Sequence, residues 1–488
     1  MRILALLLLV CVTLPHAAAQ DADVVARLAL AVGSEHEETM VLAFEGLHKL
    51  TQYRGLCLPE RARETKVYDA LGAMPYDAKD EGGRRTISFV ARTEKVTVEM
   101  ARAGPGSADH PLYAGDINFC VPEDSRVEVE VGVPEGHTLF FLSDGGRIAD
   151  DARHGTVAKD GPTHVFYTYE APLGSGRALD VFDEGPFRIY AQPALADRAR
   201  EVARLATAPF DAALAEAGLT RPFDTLRVRY ARETPFPWEA GHYNGHGFVQ
   251  VKESSLDEDA SKGYPYVPVK LLVHEAFHAA SFPYGQGDVE ETIAWWLEGT
   301  ARHAERQVDA TMPNATNHCE KEATRVTCWS FDDRITIENA TAGYRSDFTF
   351  DRDWEPSAPQ DDDTRTFYYG YSELVVGAWI AQRGEPGYRS AWDTIDKAFA
   401  TGDGCPCKDG WIEEILDDDS LFRPWESVRT SDPAGFDARV RPFVKDEAAL
   451  QAAVDAEAGP LAGLGIPAPA WIGLAALGCA VALTRRRA

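Results

Sequence analysis

The stretch Val273-His274-Glu275-Ala276-Phe277-His278-Ala279 decides how the rest of the chain is read. Two histidines four residues apart fall on one face of a helix, where both imidazoles can reach a single zinc ion. The glutamate beside the first is then placed to act as a base on a water at that ion. A pattern this short arises by chance in roughly a few per cent of chains of this length and composition, so its flanks decide its meaning.

The flanks predict a helix from about 267 to 281. Pro268 suits its first turn, and Val269, Leu272, Val273, Ala276, Phe277 and Ala280 give a broad apolar face. His274 and His278 fall on the other side, facing a cleft, and Pro283 ends the helix. Asp288-Val289-Glu290-Glu291 then reads as a capping box opening a second helix that runs to about Gln307. That helix carries Trp295-Trp296-Leu297-Glu298-Gly299-Thr300-Ala301, with Glu298 twenty residues after His278. Taken alone, Glu298 would be a solvated helix carboxylate. Between two tryptophans and a close-packing glycine, that solvated reading loses its ground.

Here the chain resembles the gluzincins, zinc peptidases in which a glutamate on the following helix completes a His2Glu site. The twenty-residue spacing equals that of thermolysin-like enzymes, while the W-W-x-E-G-x-A context is similar to bacterial collagenases and the aminopeptidase-N-like group. The resemblance covers roughly residues 195–382 and implies an α+β zincin catalytic domain, with zinc held by His274, His278 and Glu298. It also implies a tyrosine at the start of a later helix, three positions before a small residue. In Phe367-Tyr368-Tyr369-Gly370-Tyr371-Ser372 the best fit is Tyr369, with Tyr368 and Tyr371 as alternates and aromatic core packing as the competing explanation. Two departures stand out. The G-A-M-E-N signature that holds a substrate's free amine is absent, with Ala240-Gly241-His242-Tyr243-Asn244 at about the corresponding distance upstream. Arg302 stands where thermolysin-like enzymes carry an aspartate that supports the first histidine, so that support must come from elsewhere.

Two histidines and one carboxylate leave a coordination position for water, unlike the closed four-ligand set of a structural zinc site. The implied chemistry is peptide hydrolysis by zinc-activated water, with Glu275 as general base and the Tyr369 phenol on the developing oxyanion. The alternative is a non-catalytic surface or adhesion protein on a zincin scaffold; an intact Glu275 argues against it. A third possibility keeps the chemistry but cleaves a non-peptide amide.

Outside this segment, residues 21–193 alternate with period two in short runs. Arg85–Ala91, Lys95–Met100, Arg126–Val131, Thr138–Leu142 and His164–Tyr169 read as strands at the spacing of a β-sandwich. The period lengthens at Leu195–Ala217, a predicted helix closed by Gly218, followed by strands at Leu226–Tyr230 and Gly247–Lys252 with a glycine-rich polar turn between them. Residues 311–363 read as loop-rich, and shorter helical pieces follow at Ala391–Phe399 and Trp411–Ile415.

The ends of the chain concern location. Met1-Arg2, the apolar run from Ile3 to Leu14 and Ala17-Ala18-Ala19-Gln20 form a secretory signal with an A-x-A site. Ile466 to Leu483 is an apolar run of 18 residues closed by Arg485-Arg486-Arg487, enough to span a bilayer with the arginines cytoplasmic. Its arrangement also resembles the C-terminal sorting signals of prokaryotic surface proteins. Six cysteines lie between these ends, and Cys57–Cys120 and Cys319–Cys328 are the local disulfide pairings expected of an exported chain. Asn314 and Asn339 begin glycosylation sequons. The formal charge of −28 excludes a nucleic-acid partner, and only 12 of the 49 basic residues are lysines. That balance fits a high-salt habitat and an ordinary acidic secreted protein equally.

The expected organisation is a signal peptide at 1–19, a β-sandwich-like domain at 20–193 and a gluzincin-type catalytic domain at 194–445 with a mostly helical C-terminal part. An acidic linker follows at 446–465, then a transmembrane or sorting segment at 466–484 with the arginine cluster before residue 488. The expected protein is an exported, membrane-anchored zinc metallopeptidase with a protein or peptide substrate. No motif sets an oligomeric state.

Overall fold

The computed structural model describes residues 24–401 except 33–36, 59–62, 82–83, 104–110, 120–124, 144–145, 162, 173–178, 235–239, 244, 246, 257–263, 282–286, 313–316, 322–325 and 331–361. The signal, the sequons, Cys120, Cys405, Cys407, the 411–415 piece, the linker and the apolar tail lie outside these residues. Two compact units divide the chain, one of Met1–Val181 with Tyr243–Val249 and Phe282–Gly285, the other of Phe182–His242, Gln250–Ser281 and Gln286–Ala488.

The first unit is all β. An eight-stranded sheet runs in the order Arg147–Ile148, His154–Asp160, Arg126–Gly132, Val25–Val32, Glu37–Glu45, Lys95–Ala103, Arg63–Asp69, Gly72–Ala73. Its pairs are antiparallel except Val25–Val32 with Arg126–Gly132, which run parallel. Two three-stranded sheets complete the unit: Thr138–Leu142, Thr163–Glu170, Leu112–Phe119, and Gln52–Leu58, Arg84–Val90, Tyr76–Glu81. Period-two alternation determines the inward faces. In Val25–Val32, Ala26, Leu28, Leu30 and Val32 are buried, and with Met40, Leu42, Phe44, Ile87, Val129 and Tyr167 they share one hydrophobic core. All five strands expected here form, with ends shifted by up to three residues.

A five-stranded sheet is ordered Asp180–Glu184, Phe187–Ala191, Leu226–Ala231, Phe248–Lys252, Gly241–Tyr243. Gly241 and His242, expected in a polar turn, thus lie on an edge strand. Helix α1 (Ala196–Ala217) buries Ala199, Val202, Ala203, Ala206, Phe210 and Leu214 at helical spacing. It ends at Gly218, whose left-handed φ of 72° lets its amide reach back to Ala215 and Leu214. Helix α2 (Tyr266–Ser281) carries the two histidines, and α3 (Gly287–Thr311) carries Glu298. The side chains of the expected capping box lie outside the described residues.

Helix α4 (Asp362–Thr401) packs on α3 and is two helical runs joined at Gly384, whose φ is 71°. The expected separate piece at 391–399 is therefore the second run of α4. The 311–363 segment is not all loop: Asn317–Lys321 and Val326–Ser330 form an antiparallel hairpin with Cys319 directly opposite Cys328. Around α3 the core is aromatic. Trp295 and Trp296 are fully buried, and Trp296 meets Trp379 at 5.4 Å and Trp392 at 5.9 Å between ring centroids. By area, each such ring contributes on the order of 4 kcal/mol, which fixes α3 against α4 before any ligand is bound. Among the described residues no helix is long and apolar enough to cross a membrane.

Candidate active site

His274 and His278 sit one turn apart on α2, and Glu298 reaches them from α3. Their three donor atoms form a tight triangle. His274 Nε2 lies 3.0 Å from His278 Nε2 and 3.2 Å from Glu298 Oε2, and His278 Nε2 lies 3.4 Å from the same oxygen. Zinc bonds of about 2.0–2.1 Å to nitrogen or oxygen give a tetrahedron with edges of about 3.3–3.4 Å, so this triangle has the size of one zinc face. The donor chemistry agrees, because two imidazole nitrogens 3.0 Å apart need either a shared hydrogen-bond proton or a metal ion between them. It is the sole such ligand cluster among the described residues.

The charges of the metal-free residues point the same way. Burial opposes a charge on His274, but hydrogen bonds to Glu298 and Glu305 outweigh it and lift its pKa to about 10. Burial would raise Glu298, yet His278 and His274 hold it far below the ordinary carboxylate range. The cluster therefore prefers to enclose a cation.

Sequence reasoning expected the histidine face of α2 to open on a cleft. α2 is buried on most sides, with His274 only 7% and Glu275 only 6% exposed, while His278 and Glu298 are partly exposed. The reason is α3, which packs along that face and brings Glu298 with it. The missing support for the first histidine also comes from α3. His274 Nδ1 donates to Glu305 Oε1 at 2.8 Å, which fixes the tautomer that leaves Nε2 facing Glu298. Sequence reasoning missed Glu305. Its signal was its position seven residues after Glu298, two turns on and on the same face.

Glu275 is placed by a neighbour distant in sequence. Gly241 on the edge strand sits so close that a Cβ there would lie 2.8 Å from Glu275 Oε1 and 2.9 Å from its Cγ. Burial pushes the Glu275 carboxyl above its usual range, opposed by His274, His278 and His242. A desolvated carboxylate is a stronger base than a hydrated one.

On α4, Tyr368 and Tyr371 are buried, whereas Tyr369 is half-buried. Ser372, one turn on, abuts α3: a Cβ at Gly299 would lie 2.6 Å from the Ser372 carbonyl oxygen and 2.7 Å from Val376 Cγ2. Only glycine lets the two backbones approach this closely. The Tyr369 segment is thereby fixed against the residue that follows Glu298.

The chain is similar to yeast LTA4 hydrolase in complex with bestatin, at 12% identity and a TM-score of 0.40, over 81% of this chain and 66% of that one. It is also similar to native yeast LTA4 hydrolase, at 10% identity and a TM-score of 0.38, over 76% and 62%. It thus spans just under two thirds of either chain. No family model and no curated protein matches. Likeness at these scores leaves the reading of the site to its own geometry.

Proposed function

We propose that this protein is a zinc metallopeptidase of gluzincin type, with His274, His278 and Glu298 as the ligands and Glu275 as the general base. One observation carries the reading: the three donors form a triangle matching a zinc face, with a buried carboxylate next in sequence to one of them. Zinc, when bound, supplies a Lewis acid that lowers the pKa of water and polarises a carbonyl.

The chain's own residues do the rest. Glu275 takes the proton of the attacking water and passes it to the departing amine nitrogen. Glu305 holds His274 in one tautomer. The hydroxyl of Tyr369 donates to the oxyanion that forms as the carbonyl is attacked. Of the three candidates, Tyr369 is the one not fully buried, which supports its choice. A protein or peptide is the substrate this chemistry fits. Tyr243 stands where a residue holding a free amine would be expected from the resemblance, which favours internal bonds over N-terminal ones. We further propose that the chain is exported by its N-terminal segment, held at the cell surface by residues 466–484, and closed by disulfides, Cys319–Cys328 among them.

The test is zinc content together with cleavage of a mixed peptide library by the parent and by Glu275→Gln. The expected result is one zinc per chain in both and cleavage by the parent alone. A chain without zinc, or equal cleavage by the variant, overturns the proposal. Zinc without cleavage would point to a non-catalytic scaffold.

A further inference from the structure

A ladder of polar contacts runs down the seam between α2 and α3. On α2, Tyr266, Lys270, His274 and His278 recur every four residues and share a face. On α3, Glu298, Arg302, Glu305 and Asp309 recur at helical spacing and meet them. The first rung is His274 and His278 on Glu298. The second is His274 and Lys270 on Glu305. The third is the Tyr266 hydroxyl on Asp309.

The middle rung is the informative one. Glu305 divides its two oxygens, Oε1 at 2.8 Å from His274 Nδ1 and Oε2 at 3.2 Å from Lys270 Nζ. Both side chains are deep, with Lys270 only 11% and Glu305 6% exposed. A lysine is seldom buried this far unless its charge has a task or a partner. Arg302 cannot choose between the two oxygens, because its Nη1 lies 3.3 Å from each. Lys270 can. It reaches Oε2 from one turn before His274, and a carboxylate held by that oxygen presents the other to the imidazole.

We propose that Lys270 is a positioning residue for the metal centre: it fixes the rotation of Glu305, and Glu305 fixes the imidazole plane of His274. This rests on the metal reading above. Without Lys270, Arg302 remains as the partner of a buried anion, so Glu305 keeps a counter-charge. What it loses is the contact that tells its oxygens apart.

The test is the zinc affinity of the full chain, by competition with a chelator, for the parent, Lys270→Met and Lys270→Arg. Outer partners of metal ligands typically change affinity about 10–100-fold, and one acting through Glu305 is expected at the low end, near 10-fold weaker for Lys270→Met. Lys270→Arg, which keeps a cation at Oε2, is expected to hold most of the affinity. Melting of the metal-free proteins is measured alongside, since a merely structural lysine would lower that melting point and leave the affinity alone. Lys270→Met binding zinc as tightly as the parent overturns the proposal. Should that variant not fold, Lys270→Gln carries the same test, and unchanged affinity overturns the proposal in the same way. A parent that binds no zinc overturns the metal reading itself, whereas a binding parent with unaltered variants overturns only the role of Lys270.

Discussion

His274 donates from Nδ1 to Glu305 Oε1 across 2.8 Å, so the first of the proposed metal ligands is held from behind by a residue seven positions after the third. The hydrogen bond settles which nitrogen carries the proton and which way the lone pair points. Glu305→Gln keeps the shape but can turn an amide N–H toward the imidazole, and it removes the charge. Zinc affinity is expected to fall about 10–100-fold, read by chelator competition. Secondary structure should be unaltered by circular dichroism. Unchanged affinity would mean that Glu305 is only the buried partner of Lys270 and Arg302.

Much of this site is legible in the sequence because its parts are local. The histidine pair needs only a helical repeat, and the helix through Glu298 is marked by Trp295, Trp296 and Gly299. Glu305 is equally local, but Arg302 holds the expected support position and drew the reading away from the same face one turn on. Gly241 was not legible. Its contact with Glu275 joins an edge strand to a helix more than thirty residues later, and glycine next to histidine in a polar stretch has the look of a turn. The inward strand residues of the first unit follow from alternation, whereas the order of the eight-stranded sheet does not. Its parallel pairing of Val25–Val32 with Arg126–Gly132 joins segments a hundred residues apart that carry no mark of each other. The Asn317–Lys321 and Val326–Ser330 hairpin was missed because its strands are polar and short.

The close approach of Gly241 to Glu275 makes a second prediction. Gly241→Val places a branched side chain where even a Cβ would be 2.8 Å from Oε1. Valine suits a strand, so the backbone has no reason to leave it, and the side chains of Glu275 and Leu271 must shift instead. Displacement of a catalytic group by about 1 Å can cost on the order of 10²-fold in rate. Turnover should drop accordingly while zinc content stays at the parent level, because the atoms nearest a Cβ at 241 belong to Glu275 and Leu271 and not to His274, His278 or Glu298. Full turnover in the variant would show that Glu275 has room to spare.

Tyr369 gives a third. Losing one oxyanion donor costs about 10²–10³-fold in turnover. Tyr369→Phe should therefore lower kcat with KM and zinc content little changed, and Tyr371→Phe, altering a buried ring on the same helix, should not reproduce that split. Equal kinetics for Tyr369→Phe and the parent would remove the phenol from the mechanism.

The β unit supplies a prediction that does not depend on the metal. Arg92 donates through Nε and Nη2 to both oxygens of Asp69, at 3.0 and 2.8 Å, and to the carbonyls of Gly72 and Ala73. Its guanidinium thus ties the Arg63–Asp69 strand to the short strand Gly72–Ala73 that pairs with it. The hydrogen bonds from Arg92 hold the Asp69 carboxyl below its ordinary range, with burial opposing them. A depressed carboxyl binds its proton more weakly in the folded chain than in the unfolded one. Its contribution is therefore complete above the unfolded value of about 3.9 and is lost as pH falls through the lower folded value. Arg92→Leu should melt at a lower temperature than the parent at neutral pH. The gap between the two should narrow as the pH is brought down through that window, as followed by circular dichroism at β-sheet wavelengths. A gap that stays constant from neutral to acid pH would show that Arg92 acts through its packing and carbonyl contacts and not through the charge of Asp69.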